Sequence, residues 1–130
     1  MARRPMREVI EMKKIEAIIR PEKLDVVRKA LDEKGFPGMT SIQVEGRGRQ
    51  KGITLQWRAG EYRVEFLSKV KLEVLVDDDE VDQVIDIICD AAATGKMGDG
   101  KIFVLPVEDV VRVRTRERGL DAIGQENNGG

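Results

Sequence analysis

Residues 70–92 read VKLEVLVDDDEVDQVIDIICDAA, and the apolar period changes partway along this stretch. Val70, Leu72, Val74 and Val76 alternate with Lys71, Glu73 and Leu75, the two-residue repeat of a strand buried on one face. Four acids follow, Asp77-Asp78-Asp79-Glu80, which complement the positive end of a helix dipole. Val81, Val84, Ile85, Ile88, Cys89 and Ala92 then recur at i, i+3, i+4, i+7, i+8 and i+11, the stripe of an amphipathic helix. The acid run is therefore read as a helix start rather than a metal site. Cys89, lying on the stripe, is expected in the core rather than as a reactive thiol.

The same pair of elements appears earlier in the chain. Residues 13–20, KKIEAIIR, place Ile15, Ala17 and Ile19 on one strand face, with Ile18 on a partly covered second face. Pro21 opens a helix, where its missing N–H is no loss. Leu24, Val27 and Leu31 face the core, and Gly35 stops the helix. Met39–Glu45 is a second strand and Ile102–Leu105 a further one. A last strand-like run, Val110–Arg114, puts Val111 and Val113 on one face and Arg112 and Arg114 on the other. The order strand, helix, strand, long loop, strand, helix, strand is that of an α+β, ferredoxin-like split βαβ sandwich (βαββαβ). Its sheet has helices on one face only, so self-association is expected to cover the other.

The long loop, Gly46–Ser68, reads GRGRQKGITLQWRAGEYRVEFLS. Connections in compact domains usually run about 4–6 residues, so a loop of roughly 20 is functional or disordered. Arginines, lysines and glycines at its base and Trp57, Tyr62 and Phe66 within it mark it as an arm that meets a partner. A solvated hairpin extension is the plain alternative.

Composition narrows the chemistry. The 130 residues suit one domain, and a formal net charge of -1 gives no pull towards nucleic acid or an anionic membrane. Histidine is absent, removing the commonest metal ligand and general base, and one cysteine forms no internal disulfide. With no apolar run of spanning length, a reducing, cytoplasmic setting is expected. Residues 1–11 read as an N-terminal extension, with Met12 a candidate start. Residues 12–123 form the domain, and 124–130 are expected to be a disordered tail.

Gly95 to Lys101 satisfies G-x-x-x-x-G-K, but Ile102 stands where a magnesium-binding hydroxyl belongs, and helix-loop-strand is the reverse of a P-loop's order. A phosphate cradle of glycine amides with Lys96 and Lys101 survives that objection, against a plain glycine turn. Arg112 and Arg114, on one strand face, are expected to clamp a polyphosphate, against a solvated strand face. RNA recognition on this fold needs aromatics on the central strands, and Lys71–Leu75 has none.

Lys14–Pro21, Gly46–Gly52, Glu61-Tyr62, Lys69–Lys71 and Thr94–Phe103 together resemble the PII nitrogen-regulatory signal-transduction proteins, over about Met12 to Ile123. The resemblance makes residues 46–68 a T-loop, about 93–101 a B-loop and the segment after 114 a C-loop, in a homotrimer. It implies ATP and ADP competing for clefts between subunits, with Thr40 and Leu75 at the adenine. Gly98, Asp99, Gly100 and Lys101 would cradle phosphates, Arg112 and Arg114 would clamp them from the neighbouring subunit, and Gly48, Arg49 and Gln50 would cover the nucleotide. Gln50 would ligate Mg with ATP. 2-Oxoglutarate would sit beside it against Gln50, Lys51, Gly52 and Lys69. No prosthetic group is implied, and the protein would be a switch rather than an enzyme. Partners would be an ammonium transporter, met by Arg58 and bringing the protein to the membrane, or glutamine synthetase or another nitrogen enzyme. An adenylate-only energy sensor and a slow ATP-hydrolysing enzyme are the alternatives. Tyr62 aligns with a tyrosine modified in some bacterial members. Gly60 replaces a serine phosphorylated in some cyanobacterial ones, and Ser68 replaces the usual proline before Lys69.

Overall fold

A computed structural model describes residues 12–47, 53–57, 60–64 and 66–123, the stretches 53–57 and 60–64 by their backbone alone. Strand β1, Met12–Ile19, leads through a 3-10 turn at Pro21–Lys23 into helix α1, Leu24–Glu33. Gly35 ends α1 in the left-handed region at φ 92. There its N–H donates to the Asp32 carbonyl, and the Phe36 N–H to that of Leu31. These paired bonds satisfy the last turn's carbonyls and fold the buried Phe36 under the helix.

Strand β2, Thr40–Gly46, runs into the arm, whose strands β3, Ile53–Trp57, and β4, Gly60–Val64, pair with each other as a separate two-stranded sheet. The long loop is thus built on a hairpin, a regularity that its scattered glycines conceal in the sequence. Strand β5, Leu67–Asp77, is longer than its alternating core suggests. Asp77 then starts the second helical segment with a reciprocal cap: its carboxylate accepts from the Asp79 N–H at 2.9 Å, and its own N–H donates to Glu80 at 3.2 Å. Helix α2, Val81–Ala92, follows, and strand β6, Gly100–Val107, completes the sheet.

The sheet order is β2-β5-β1-β6, with every neighbouring pair antiparallel. β1 and β2 are separated by β5, which is the split βαβ arrangement expected from the order of elements. Ile15, Ala17, Ile19, Val70, Leu72, Val74 and Val76 point to one face and pack against Val27 and Leu31 of α1 and Val84, Ile88 and Ala92 of α2. Among the described residues neither α-helix covers the opposite face. There Lys14 pairs with Glu16 at 2.8 Å and Glu73 at 3.4 Å, and Lys71 approaches Glu73 at 3.7 Å. Ile42 and Phe103 are exposed on the flanking strands.

Two expectations are corrected. Cys89 is exposed, not in the core. The buried stripe centres on Val84 and Ile88, and at about 100° per residue Cys89 projects to the side, while Ile87 and Ala91 fill the contact. Residues 110–114 are not a strand either: Val111 makes an isolated bridge to Arg118, and the chain between them turns back, with Arg116 at φ 66. Alternating valine and arginine mimics strand periodicity, but among the described residues no neighbouring strand pairs with it.

These adjacent positions give a direct comparison. Ile88→Ala should cost about 2–5 kcal/mol in denaturant unfolding, and Cys89→Ser no more than about 0.5 kcal/mol. Equal losses would return Cys89 to the core.

Candidate functional site

The ends of three strands meet at the glycine loop between α2 and β6. The register sets Ile19 opposite both Val70 and Gly100, so Arg20, just past β1, and Lys69, one residue before Val70, arrive beside the loop together. Gly100 is held at φ 114, and a Cβ there would lie 1.7 Å from the Ile18 carbonyl oxygen, so no other residue fits this crossing. Gly98, at φ 95, faces the Arg20 guanidinium.

Within the loop the Asp99 carboxylate gathers donors. It accepts from the Thr94 amide at 2.8 Å, the Thr94 hydroxyl at 2.5 Å, the Gly95 amide at 3.0 Å and Arg20 Nε at 3.0 Å. Arg20 also donates to the Met97 carbonyl at 2.7 Å, and Lys69 Nζ donates to the Gly98 carbonyl at 2.5 Å. Asp99 is thus the loop's own anion: the amides of Thr94 and Gly95 converge on it. Hydrogen bonds from the Thr94 hydroxyl and amide, then from Arg20 and Gly95, hold its carboxyl well below the usual carboxylate range. Burial, and then the nearby Arg20 charge, pushes the Lys69 ammonium below its ordinary value. Two cations against one loop favour an added anion, which would relieve their mutual repulsion.

The remaining expected site residues divide. Thr40 opens β2 opposite Glu73, and Leu75 lies opposite Lys14, both on the helix-free face. Lys101 shares that face, opposite Ile18. Arg112 and Arg114 are not a pair on a strand. Arg112 is buried, its guanidinium donating to the Ala122 carbonyl at 2.7 Å, whereas Arg114 is exposed. Gly48, Arg49, Gln50, Lys51, Gly52 and Arg58 lie outside the described residues, as do residues 1–11 and 124–130. Tyr62 sits on β4 opposite Leu55, its side chain outside the description. Sequence reasoning gave no role to Arg20 or Thr94. The one available signal was position: a long cation where β1 stops, and a hydroxyl just before Gly95. Among the described residues no cluster of three or more acids or cysteines could hold a metal ion, and no helix is long and apolar enough to cross a membrane.

The described residues thus form a split βαβ sandwich with a hairpin arm and a glycine loop gripped by two cations. Residues 12–117 match the family model described as nitrogen regulatory protein P-II. The chain is similar to the nitrogen regulatory protein P-II of Nostoc punctiforme, 57% identical over 86% of this chain and 100% of that one. It is 58% identical to that of Pasteurella multocida, with the same coverage. The crystal structure of Arabidopsis thaliana PII bound to citrate superposes with a TM-score of 0.72 at 45% identity, covering 86% of this chain and 92% of that one. The chain belongs to the nitrogen regulatory protein P-II family. Members carry the name of regulators, and the chain is accordingly a regulator rather than an enzyme.

The Asp99 hub gives a pH prediction. A depressed folded-state pKa adds stability that is complete above the unfolded value and is lost as pH falls through the folded one. Stability should therefore fall below about pH 4. Asp99→Asn should make this acid limb shallower and speed amide exchange at Thr94 and Gly95. An unchanged limb with unchanged exchange would mean that the carboxylate does not hold the loop.

Proposed function

We propose that the protein reports nitrogen and energy status by binding ATP or ADP at the glycine loop and 2-oxoglutarate, with Mg-ATP, at the base of the arm. The observation that carries this is the convergence of Arg20 and Lys69 on the loop where the arm rejoins the sheet. A dicarboxylate placed there would take Lys69 from the Gly98 carbonyl, so ligand and phosphate loop share one cation. The relative that holds citrate shows that a member of the family accepts a small carboxylate. Magnesium would be held by phosphate oxygens and by Gln50, an all-oxygen set that suits a hard cation. Its charge would offset the negative charge that phosphate and carboxylate bring to the site.

The nucleotide is taken to lie between copies of a homotrimer. β6 starts at the loop, with Gly100 opposite Ile19, and ends with Val107 opposite Met12, at the far end of the sheet. Eight residues at about 3.3 Å each carry the chain roughly 25 Å away from the loop. An arginine from beyond β6 therefore reaches a loop most simply on a neighbouring copy. Thr40, Leu75 and Lys101 share the helix-free face that such a neighbour would cover, along with exposed Ile42 and Phe103. Ligands act by favouring one arm conformation over another. Arg58 of the arm would then contact an ammonium transporter, or the arm would meet glutamine synthetase or another nitrogen enzyme.

Calorimetric titration of 2-oxoglutarate is expected to show binding with Mg-ATP but not with Mg-ADP or without nucleotide, and Lys69→Ala should weaken it at least about tenfold, or 1.4 kcal/mol. Nucleotide binding without any 2-oxoglutarate response would leave an adenylate-only sensor. Arg58→Ala should lower transporter binding in a pull-down while leaving the titration unchanged. Undiminished transporter binding would remove Arg58 from the interface.

A further inference from the structure

Strand β1 begins beside the start of α2. Met12 stands opposite Asp77, the residue that opens the second helical segment, so the chain enters the sheet at the acidic end of that helix. From Asp77 to Ala93 there are seven carboxylates and no lysine or arginine. Asp77 and Glu80 serve the cap, and Asp78 pairs with Lys13 at 2.9 Å. Asp79, Asp82, Asp86 and Asp90 are exposed, and among the described residues none of their carboxylates has an ion pair or hydrogen bond. Val84 and Ile88 mark the buried side of α2, and at about 100° per residue Asp86 points away from them, flanked by Asp82 and Asp90. The edge of the sheet next to β1 is open as well. Val104 lies opposite the fully buried Ile15, hence on the helix side of edge strand β6, yet it is 43% exposed.

One segment of the chain suits both features. Residues 1–11, outside the described residues and ahead of the stretch that matches the P-II family, read MARRPMREVIE. Arg3, Arg4 and Arg7 all precede Glu8 and Glu11, and Val9 and Ile10 come just before the strand. At about 3.3 Å per residue, Arg7 can reach roughly 17 Å from Met12 and Arg3 roughly 30 Å. The 12 residues of α2 extend about 18 Å, so all of it is within range. Lys13, the first cation of β1, already turns to Asp78. We propose that residues 1–11 fold back over α2 of the same copy, with Val9 and Ile10 shielding Val104 and Arg3, Arg4 and Arg7 set among Asp79, Asp82 and Asp86. Exposed ion pairs are individually weak, so the contact depends on the three arginines acting together with the apolar cover, and salt loosens it. It is independent of the nucleotide reading.

The test places a nitroxide on Cys89, the chain's single cysteine, which is exposed on α2 three residues from Asp86. In the full chain, the amide resonances of residues 3–7 should lose most of their intensity relative to the reduced label. Raising the salt to about 0.5 M, where screening shortens to roughly 4 Å, should restore them. Asp82→Lys/Asp86→Lys should restore them without added salt, and Val104→Ser should restore them in part. Adding Arg4→Glu/Arg7→Glu to the Asp82→Lys/Asp86→Lys chain should bring the loss back, because the charges are then exchanged across the contact. Full intensity at residues 3–7 in the wild-type chain would overturn the proposal. So would a loss that neither Asp82→Lys/Asp86→Lys nor Val104→Ser reduces.

Discussion

Strand β1 has a partner on each side, and the rest of the molecule takes its positions from it. β5 and β6 both pair antiparallel to β1, and Ile19 faces Val70 on one side and Gly100 on the other. Because side chains alternate along a strand, this double pairing puts Ile15, Ala17 and Ile19 under the helices and Lys14, Glu16 and Ile18 on the helix-free face. It also decides where the chain is closest to itself: Gly100 crosses the Ile18 carbonyl so tightly that only glycine passes. The glycine loop is fixed to the end of β1 by that crossing, and Arg20 is the first residue past it.

The loop's charges follow from the same geometry. Asp99 supplies an internal anion that satisfies the amides of Thr94 and Gly95, so the loop holds its shape without a ligand. Arg20 and Lys69 approach it from two different strands, both cationic and both bonded to loop carbonyls. The loop is thus ordered from within by a carboxylate and gripped from outside by two cations. An incoming anion competes for the cations, one of which, Arg20, also serves the carboxylate, and leaves the amides of Thr94 and Gly95 to Asp99.

How much of this was legible in the sequence depended on which period set the answer. Strands β1 and β5 and both helices were readable because burial on one face imposes a repeat on every residue. The Gly95–Lys101 loop was readable as an anion cradle, although Asp99's inward role was not, since it arises from Thr94 and Arg20, far apart in sequence. Cys89 was misplaced because a residue at the margin of a helical stripe is buried or exposed by what the neighbouring helix presents, and sequence spacing does not record that. Val110–Arg114 alternated like a strand and became a turn for want of a pairing partner. β3 and β4 carry a short alternation, Ile53, Leu55 and Trp57 against Thr54 and Gln56, and Tyr62 and Val64 against Glu61 and Arg63, but the glycines around them, Gly48, Gly52 and Gly60, read as loop.

Gly46 and Leu67 are the last opposed residues where the arm joins the body. Gly46 is also where a Cβ would stand 3.2 Å from Lys69 Cγ. Below this junction β5 alternates between core and open face without a break. A slip of one residue would drive Lys69 inward in place of Val70, stranding an ammonium among valines and isoleucines at a cost of several kcal/mol. The body therefore cannot slide to follow the arm. It serves as a fixed footing, and the arm is joined to it through one pair of residues, beside which the Lys69 side chain lies across a glycine.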